Sequence, residues 1–409
     1  MKLSFVGGVR FVGGLGMVVE SDTTRIMFDY GVIPKKPPEY PRKVQYIDEL
    51  FLSHSHLDHV GMAPWLTGEY GTRNIGTEVT LEVSTILLED SLKISKMENH
   101  FIPWGIHDLR RFTEETEPVK YGEVREVGPF EVTPHTAGHI PGSTMFTIAH
   151  DGRNVLFTGD INNRDTRLVK GVKPVKAEAL VIESTYAGKE HPPRNAVEDS
   201  FTGKIEEVLG RGGRVVIPAF AVGRTQEIVQ ILKGFGEDKW LDGMGRRVAK
   251  IYMDHQEFIK NPSDLKKAMD SMKFVRTPSQ RMKALKAPIV VTTSGMLDGG
   301  PIMEYLKEIK DDPKSAVLLT GYQVQDTNGR MLMDTGHVEI DGNMEKVRCE
   351  VDFFDFSAHA DHKGILEFVK GTGAEDVILV HGDHREALAE DISAFAKVHM
   401  PDEDTIFDI

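Results

Sequence analysis

The sequence predicts an α/β protein built from two domains. Its 409 residues exceed the usual size of one domain, and 40% hydrophobic with 27% charged residues is the composition of a globular protein. Short apolar segments at residues 3–6, 17–20, 26–29 and 50–53 indicate strands in the first part of the chain. From about residue 195, helices alternate with buried-looking strands, which is typical of a mostly parallel sheet.

The remaining elements follow from local patterns in chain order. Asp151-Gly152 suits a tight hairpin turn between two of the predicted strands. Before this turn, the pattern predicts a helix that begins at 63–66, an amphipathic helix at 82–97 and a strand at 144–149. Directly after the turn it predicts a strand at 155–158, followed by another at 180–183. After it, the pattern predicts a helix at 196–209, a strand at 214–218, a helix at 225–235, strands at 289–293 and 316–320, a hairpin over 336–354 and a strand at 378–381.

The glycine-rich start of the chain is predicted to be a plain turn between strands. Gly14-Leu15-Gly16 resembles part of a dinucleotide-binding loop, but the full fingerprint and its strand–turn–helix unit are absent. A cofactor-binding loop of this kind is therefore not expected.

Composition limits the cellular setting but leaves the substrate open. Cys349 is the single cysteine, which excludes an intramolecular disulfide and a cysteine-rich zinc module, and fits a reducing cytoplasm. No apolar run approaches the roughly 18 residues that span a bilayer, so no membrane partner is expected. The net charge of −14 argues weakly against nucleic acid. However, 49 Lys and Arg can form a local basic rim, and bound metals bring their own charge.

The strongest chemical signal is a histidine-rich segment directly after a predicted strand. His54 and His56 lie two residues apart, so in an extended segment their rings can hold one metal. Asp58 and His59 are adjacent, and a bend there can direct both at a second metal. Each metal then needs further ligands from elsewhere in the chain.

Two later strand ends can supply those ligands. His139 lies in a turn-rich segment after a strand, and Asp160 follows the next strand in Thr158-Gly159-Asp160. A carboxylate in such a position can bridge two cations. Imidazole and carboxylate without thiolate suit zinc, and manganese is also compatible.

Together with Asp29, these residues resemble the first four motifs of the metallo-β-lactamase superfamily. The resemblance implies an αββα sandwich with two metals at the strand ends between the sheets. It also implies that Asp29 orients a metal ligand.

Three further segments resemble motifs A, B and C of the β-CASP nucleases. They contain Glu183 in Val181-Ile182-Glu183, His359 in Ser357-Ala358-His359, and His381 in Val380-His381-Gly382. The resemblance implies a metallo-β-lactamase domain formed by residues 1–187 and 356–409, with an α/β cap inserted at 188–355. A histidine in motif C is typical of the RNA-processing branch.

The resemblance implies a zinc-dependent ribonuclease with two zinc ions per chain. His359 is expected to be the general acid, kept charged by Glu183, and Asp58 is expected to serve both catalysis and metal binding. Products would carry a 5′-phosphate and a 3′-hydroxyl. In the cap, Arg224, Ser294 and Gly295 are weaker candidates for contacts to the RNA backbone. The predicted metal ligands are His54, His56, His139 and Asp160 for one ion, and Asp58, His59, Asp160 and His381 for the other.

The form of the histidine-rich motif resembles prokaryotic homologues of the cleavage-and-polyadenylation endonuclease subunit more than ribonuclease J. We therefore expect endonucleolytic cleavage of single-stranded RNA, with a homodimer and an RNA-processing complex suggested by family analogy. Asp383 stands where the family usually has Glu, which shortens a carboxylate beside the second metal. Three alternatives stay open: a 5′-exoribonuclease of the ribonuclease J type, a metallo-β-lactamase-fold hydrolase that is not a nuclease, and a non-catalytic RNA-binding scaffold.

Overall fold

The computed structural model describes residues 1–33 and 35–409. The chain divides into two units: Met1–Glu190 together with Ala358–Ile409, called the first unit below, and His191–Ser357, called the second unit. The sequence placed the inserted segment at 188–355. No helix in the described ranges is both long and apolar enough to cross a membrane.

Among the described residues, the N-terminal part of the first unit contains eleven strands and four helices. Its strands are β1 (Lys2–Gly7), β2 (Gly16–Glu20), β3 (Arg25–Phe28), β4 (Glu49–Phe51), β5 (Arg73–Gly76), β6 (Thr116–Pro118), β7 (Arg125–Val127), β8 (Phe130–Thr136), β9 (Thr144–His150), β10 (Arg153–Phe157) and β11 (Ala179–Glu183). Its helices are α1 (Leu57–Val60), α2 (Ala63–Tyr70), α3 (Glu78–Glu98) and α4 (Ile106–Glu114).

The second unit and the C-terminal return contain the remaining elements. The second unit has α5 (Arg194–Gly210), β12 (Val215–Pro218), α6 (Arg224–Leu232), β13 (Lys239–Asp242), α7 (Gly245–Asp254), a short 3₁₀ helix (Gln256–Phe258), α8 (Pro262–Asp270), β14 (Lys273–Phe274), α9 (Pro278–Ala284), β15 (Ile289–Thr292), α10 (Ile302–Ile309), β16 (Ala316–Leu319), α11 (Asn328–Thr335), β17 (His337–Ile340), β18 (Asn343–Lys346) and β19 (Glu350–Phe353). The return has α12 (His362–Thr372), β20 (Asp376–Val380), α13 (Arg385–Ile392), β21 (Lys397–His399) and β22 (Ile406–Asp408).

The first unit is the predicted αββα sandwich. One seven-stranded sheet has the order β22-β1-β2-β3-β4-β5-β6, and the other has the order β21-β20-β11-β10-β9-β8-β7. Apolar side chains from both sheets form one shared core between them. The outer face of the first sheet packs against α2, α3 and α4, and that of the second sheet packs against α12 and α13.

An aromatic cluster lies in this core directly beneath the strand ends that carry the candidate ligands. The ring of Phe28 stacks on that of Phe51 with centroids 5.1 Å apart. It also packs at 5.5 Å against Phe146 and at 5.6 Å against Phe157 of the opposing sheet. Because Phe28, Phe51 and Phe157 are the last residues of β3, β4 and β10, this packing holds the three strand ends together.

The second unit is built on a six-stranded parallel sheet, in the order β14-β13-β15-β12-β16-β19. The mostly parallel α/β pattern expected from residue 195 onward is therefore present. The hairpin expected over 336–354 was placed too widely, since only β17 and β18 form it. β19 instead pairs in parallel with β16 and forms the edge strand of the six-stranded sheet.

The glycine-rich start forms the expected turn between β1 and β2, which pair antiparallel. Gly8, Gly13 and Gly14 all have positive φ, a conformation that glycine adopts without strain. No helix begins in this turn, so it lacks the helix N-terminus on which a dinucleotide phosphate would rest.

Candidate metal centre

The candidate ligands lie where strands of both seven-stranded sheets end. β4 and β10 each end three residues before a ligand, His54 and Asp160 respectively. His139 lies in the connection from β8 to β9, and His381 directly follows β20. Strand pairing therefore brings together side chains that are more than 300 residues apart in the sequence.

The first set of ligands contains His54, His56, His139 and Asp160. One nitrogen or oxygen of each lies within 4.8 Å of those of the others. His56 Nδ1 lies 3.0 Å from His54 Nε2 and 3.3 Å from His139 Nε2. Asp160 Oδ2 lies 3.5 Å from His54 Nε2, so the carboxylate is the fourth candidate ligand of this set. These are the four residues predicted to hold one ion.

The second set contains Asp58, His59 and His381, again with ligand atoms within 4.8 Å of one another. Asp58 Oδ2 lies 3.8 Å from His59 Nε2 and 3.6 Å from His381 Nε2. Asp160 also reaches this set, with Oδ2 3.4 Å from His59 Nε2 and Oδ1 3.7 Å from His381 Nε2. Asp160 therefore lies between the two sets, where a carboxylate could bridge two cations.

Several of these converging atoms are buried without a hydrogen-bond partner in the described chain. They are His59 Nε2, His381 Nε2 and Asp160 Oδ1. Leaving a buried polar atom unsatisfied costs about 1–3 kcal/mol, and such atoms usually have an explanation. Divalent cations would satisfy the convergent imidazole and carboxylate atoms, so the residues present fit a metal centre.

Electrostatics favours the neutral imidazole, the form that binds metal, at three histidines of the two sets. Burial lowers the pKa of His54 and of His139 well below the usual value, and lowers that of His381 to about 3. His59 differs, because burial lowers its pKa but the carboxylates of Asp160 and Asp58 outweigh this and raise it. A proton and a cation therefore compete for His59 Nε2.

Asp29 orients one histidine of each set, directly and through Ser53. Asp29 Oδ2 lies 2.7 Å from His59 Nδ1 and accepts a hydrogen bond of 2.6 Å from Ser53 Oγ. Asp29 Oδ1 accepts from the Ser53 backbone N–H at 2.7 Å. Since Ser53 Oγ donates to Asp29, it can accept from His54 Nδ1, 3.0 Å away. Both histidines then present an unprotonated Nε2 to the centre.

Ser53 and the Ala358 carbonyl are functional groups that the sequence did not assign. His139 Nδ1 lies 2.8 Å from Ala358 O, which orients this ring in the same way. Ser53 could have been found as the hydroxyl residue directly before the first ligand. Ala358 acts through its backbone and has no sequence signal. Gly159 belongs to the same support, because a Cβ there would lie 2.6 Å from Ser53 Cβ.

His381 is held by its backbone and not by a side-chain partner. Its φ is +55°, an uncommon value for a residue other than glycine, and its N–H donates to Gly8 O at 2.9 Å. Its carbonyl accepts from the Ser184 N–H at 3.3 Å. The exposed Asp383, which replaces the usual Glu, makes no hydrogen bond to the His381 ring within the described residues.

His359 and Glu183 form an ion pair beside the two sets. His359 Nδ1 lies 3.0 Å from Glu183 Oε2 and 3.9 Å from Asp160 Oδ2. Glu183 is buried, and its Oε1 accepts from the Ile161 N–H at 2.6 Å, which fixes the carboxylate. Burial lowers the pKa of His359, but Glu183 and Asp160 outweigh it and raise the pKa to about 9. The two carboxylates therefore favour the charged form of the imidazole.

The first unit thus brings together every residue proposed for metal binding or catalysis. The three cap candidates belong to the second unit. Arg224 is the first residue of α6, and its Nη1 donates to Glu227 Oε2 at 2.9 Å. Ser294 and Gly295 follow β15. Within the second unit, Arg224 is therefore already engaged by a carboxylate.

Comparison with known families matches three regions of the chain. The metallo-β-lactamase superfamily matches residues 9–218, the β-CASP domain 225–332, and the Zn-dependent metallo-hydrolase RNA specificity domain 344–401. A crystal structure of a protein of unknown function from Enterococcus faecalis shares the fold, with a TM-score of 0.64 over 99% of both chains at 13% identity.

Curated relatives are similar over nearly the whole chain. A probable RNase of Methanocaldococcus jannaschii, MJ4, is 39% identical over 95% of this chain and 94% of its own length. RNase aCSPSF2 of Saccharolobus solfataricus is 36% identical over 95% of this chain and 81% of its own. The transcription termination factor FttA of M. jannaschii is 30% identical, over 95% and 68% respectively. With two convergent ligand sets on an αββα sandwich and these matches, the chain belongs to the β-CASP family of the metallo-β-lactamase superfamily.

Proposed function

We propose that this protein is a metal-dependent ribonuclease that hydrolyses RNA phosphodiester bonds. The observation that carries the proposal is the pair of ligand sets that share Asp160, with the charged His359–Glu183 pair beside them. Relatives named as RNases support RNA as the substrate. The complete ligand sets weigh against a non-catalytic scaffold, which would not need them.

We assign two zinc ions per chain, one to each set, with Asp160 shared. Cations bound there would lower the pKa of a water molecule and neutralise negative charge on the phosphoryl oxygens. The chain's own contribution is to hold the imidazoles in place. Asp29, Ser53 and the Ala358 carbonyl fix ring orientation and tautomer, so that Nε2 of three histidines points to the centre.

His359 supplies the proton in this proposal. Glu183 engages its Nδ1, so the proton available to substrate is the one on Nε2. The side chain keeps 19% of its surface exposed, whereas Glu183 behind it is buried. His359 can therefore reach a phosphodiester at the centre and donate to the departing 3′ oxygen, leaving a 5′-phosphate on the other product.

We further propose endonucleolytic cutting of single-stranded RNA, on the basis of the form of the His54–His59 motif. The rival with the same chemistry is a 5′-exoribonuclease. A homodimer and a place in an RNA-processing complex remain predictions by family analogy, and a cytoplasmic location remains a prediction from the single cysteine.

The test combines metal analysis with two histidine variants. The purified protein is expected to carry about two zinc ions per chain. His56→Ala should lose metal, whereas His359→Ala should keep both ions and lose roughly 10²–10⁴-fold in cleavage rate, the usual worth of a general acid. His107→Ala, an exposed histidine of α4, is the matched control and should behave as wild type. Wild-type cleavage rate in His359→Ala would place the acid elsewhere.

A circular single-stranded RNA separates the two modes of cutting. It offers no terminus, so only an endonuclease can linearise it. An intact circle beside rapid loss of a 5′-monophosphorylated linear RNA would replace the endonuclease with the exonuclease.

A further inference from the structure

A surface loop of the first unit carries an unusual concentration of positive charge for this acidic chain. Residues 164–176 contain five basic side chains and one acidic side chain, although the chain as a whole carries −14. This segment is part of the connection from β10 to β11, which starts at Thr158 and also carries Asp160. Three of its lysines are exposed, and we call them the basic ridge: Lys170, Lys173 and Lys176.

The loop is anchored from within, so its shape is set before any ligand binds. Leu168, Val169 and Val172 are buried and hold it to the protein. The Val172 N–H donates to Asn162 O at 2.8 Å, which closes the loop near its base. Arg164 pairs with the buried Asp361, the N-cap residue of α12. A preorganised loop loses little conformational entropy on binding.

The ridge runs from the metal centre along α12. Near its start, Lys170 O would lie 3.1 Å from a Cβ at Gly138, the neighbour of His139. Near its end, a Cβ at Gly373, just past the helix, would lie 3.6 Å from Lys176 Nζ. An α12 of 11 residues is roughly 16 Å long, which is the span of about five phosphates at ~3.4 Å per phosphate of a stacked strand.

Like several other lysines of the chain, the ridge lysines have no acidic partner among the described residues, in contrast to paired lysines of the second unit. Elsewhere in the chain, Lys204 lies 2.8 Å from Glu350, and Lys310 lies 2.9 Å from Glu345. Within residues 1–33 and 35–409, none of the three ridge lysines forms an ion pair. Their charge is therefore available to an external anion.

We propose that the basic ridge binds the phosphate backbone of the RNA strand as it leaves the metal centre. The inference rests on the proposed ribonuclease function, because it takes RNA as the ligand. Lysines bind phosphates as point charges and carry no sequence preference, so the ridge supplies affinity and register without selecting bases. A protein with a net negative charge could then bind RNA along the basic ridge.

The test compares two triple variants in a His359→Ala background, which keeps bound RNA intact. The ridge variant is Lys170→Gln/Lys173→Gln/Lys176→Gln. The control, Lys93→Gln/Lys96→Gln/Lys120→Gln, removes the same charge from exposed lysines elsewhere in the first unit. Fluorescence anisotropy of a labelled oligouridylate of about 20 nucleotides is measured between 50 and 200 mM salt, a range over which phosphate contacts weaken strongly.

The ridge variant is expected to raise Kd roughly tenfold or more at low salt. It should also reduce the slope of log Kd against log salt by about 2, since each contact to a single strand contributes about 0.7. The control should match the His359→Ala parent. Equal affinity of the ridge variant and its parent, or an equal loss in both triples, would overturn the proposal and leave the ridge to an acidic protein partner.

Two further measurements keep the outcomes distinct. If the triple variant unfolds, each single ridge substitution should still lower the slope by about 0.7. Wild-type hydrolysis of bis(p-nitrophenyl) phosphate, which is too small to extend from the centre along the ridge, tests the metal centre alone. If the wild-type protein does not hydrolyse this substrate, the proposed function is contradicted. If it does, and the ridge variant binds RNA as tightly as its parent, only the proposal that the ridge binds RNA is contradicted.

Discussion

Ser53→Ala tests whether the support behind the ligands controls metal binding. Ser53 Oγ is buried, donates to Asp29 Oδ2 at 2.6 Å and lies 3.0 Å from His54 Nδ1. Alanine at this position removes the acceptor of His54 Nδ1 without filling the space. Asp29 keeps its contact with His59 and with the backbone N–H of residue 53. The perturbation therefore falls mainly on the first set of ligands.

The expected magnitude follows from the contact that is lost. A buried donor left unpaired costs about 1–3 kcal/mol. Loss of a group that orients a ligand typically lowers metal affinity about 10–100-fold, which is ~1.4–2.8 kcal/mol. The two estimates agree, so we expect the zinc affinity of one site to fall by this factor while the other site is largely retained.

Zinc affinity is measured by competition with a chromophoric chelator, alongside the metal content of the purified protein. Ser55→Ala is the control, because Ser55 is buried in the same segment but makes no hydrogen bond through its side chain within the described chain. The reasoning fails if Ser53→Ala binds both zinc ions as tightly as wild type, or if Ser55→Ala loses as much affinity.

Two further predictions concern the pH profile and the packing behind the ligands. Because the pKa of His359 is raised to about 9, the acid is present below that pH and kcat/KM should fall as the pH rises through it. Glu183→Gln removes the main favourable charge, so this alkaline limb should move to lower pH; an unmoved limb would assign it to another group. Gly159→Ala should destabilise the protein by more than about 1 kcal/mol in urea unfolding, because φ is +51° and the new Cβ would meet Ser53; wild-type stability would contradict the close approach.

The sequence was most informative about functional residues that lie close together in the chain. His54 and His56 are two residues apart in an extended segment, and this spacing alone predicts a shared metal because side-chain direction depends on local backbone geometry. The core strands were also found from their apolar runs, since burial on both faces leaves a composition signal. The prediction that β19 belongs to a hairpin was wrong, because the residues of a strand do not specify which other strand it pairs with.

The resemblance to known motifs, and not spacing, supplied the distant members of the site. Glu183, His359 and His381 lie far from the histidine-rich segment in the chain. Parallel pairing of β11 with β20 sets Glu183 opposite Val380, the residue before His381. Such a register depends on the packing of whole sheets, which no local pattern reports.

The sequence alone indicated candidate side chains for metal binding and proton donation, and the order of the strands that carry them. The folded structure was needed to show that Ser53 links Asp29 to His54, and that the Ala358 carbonyl meets His139 across 219 positions of the chain. It likewise decided that three lysines of one loop lie unpaired along α12. The physical reason is that ligand identity resides in single side chains, whereas orientation and charge exposure arise from contacts between segments that meet only when the core packs.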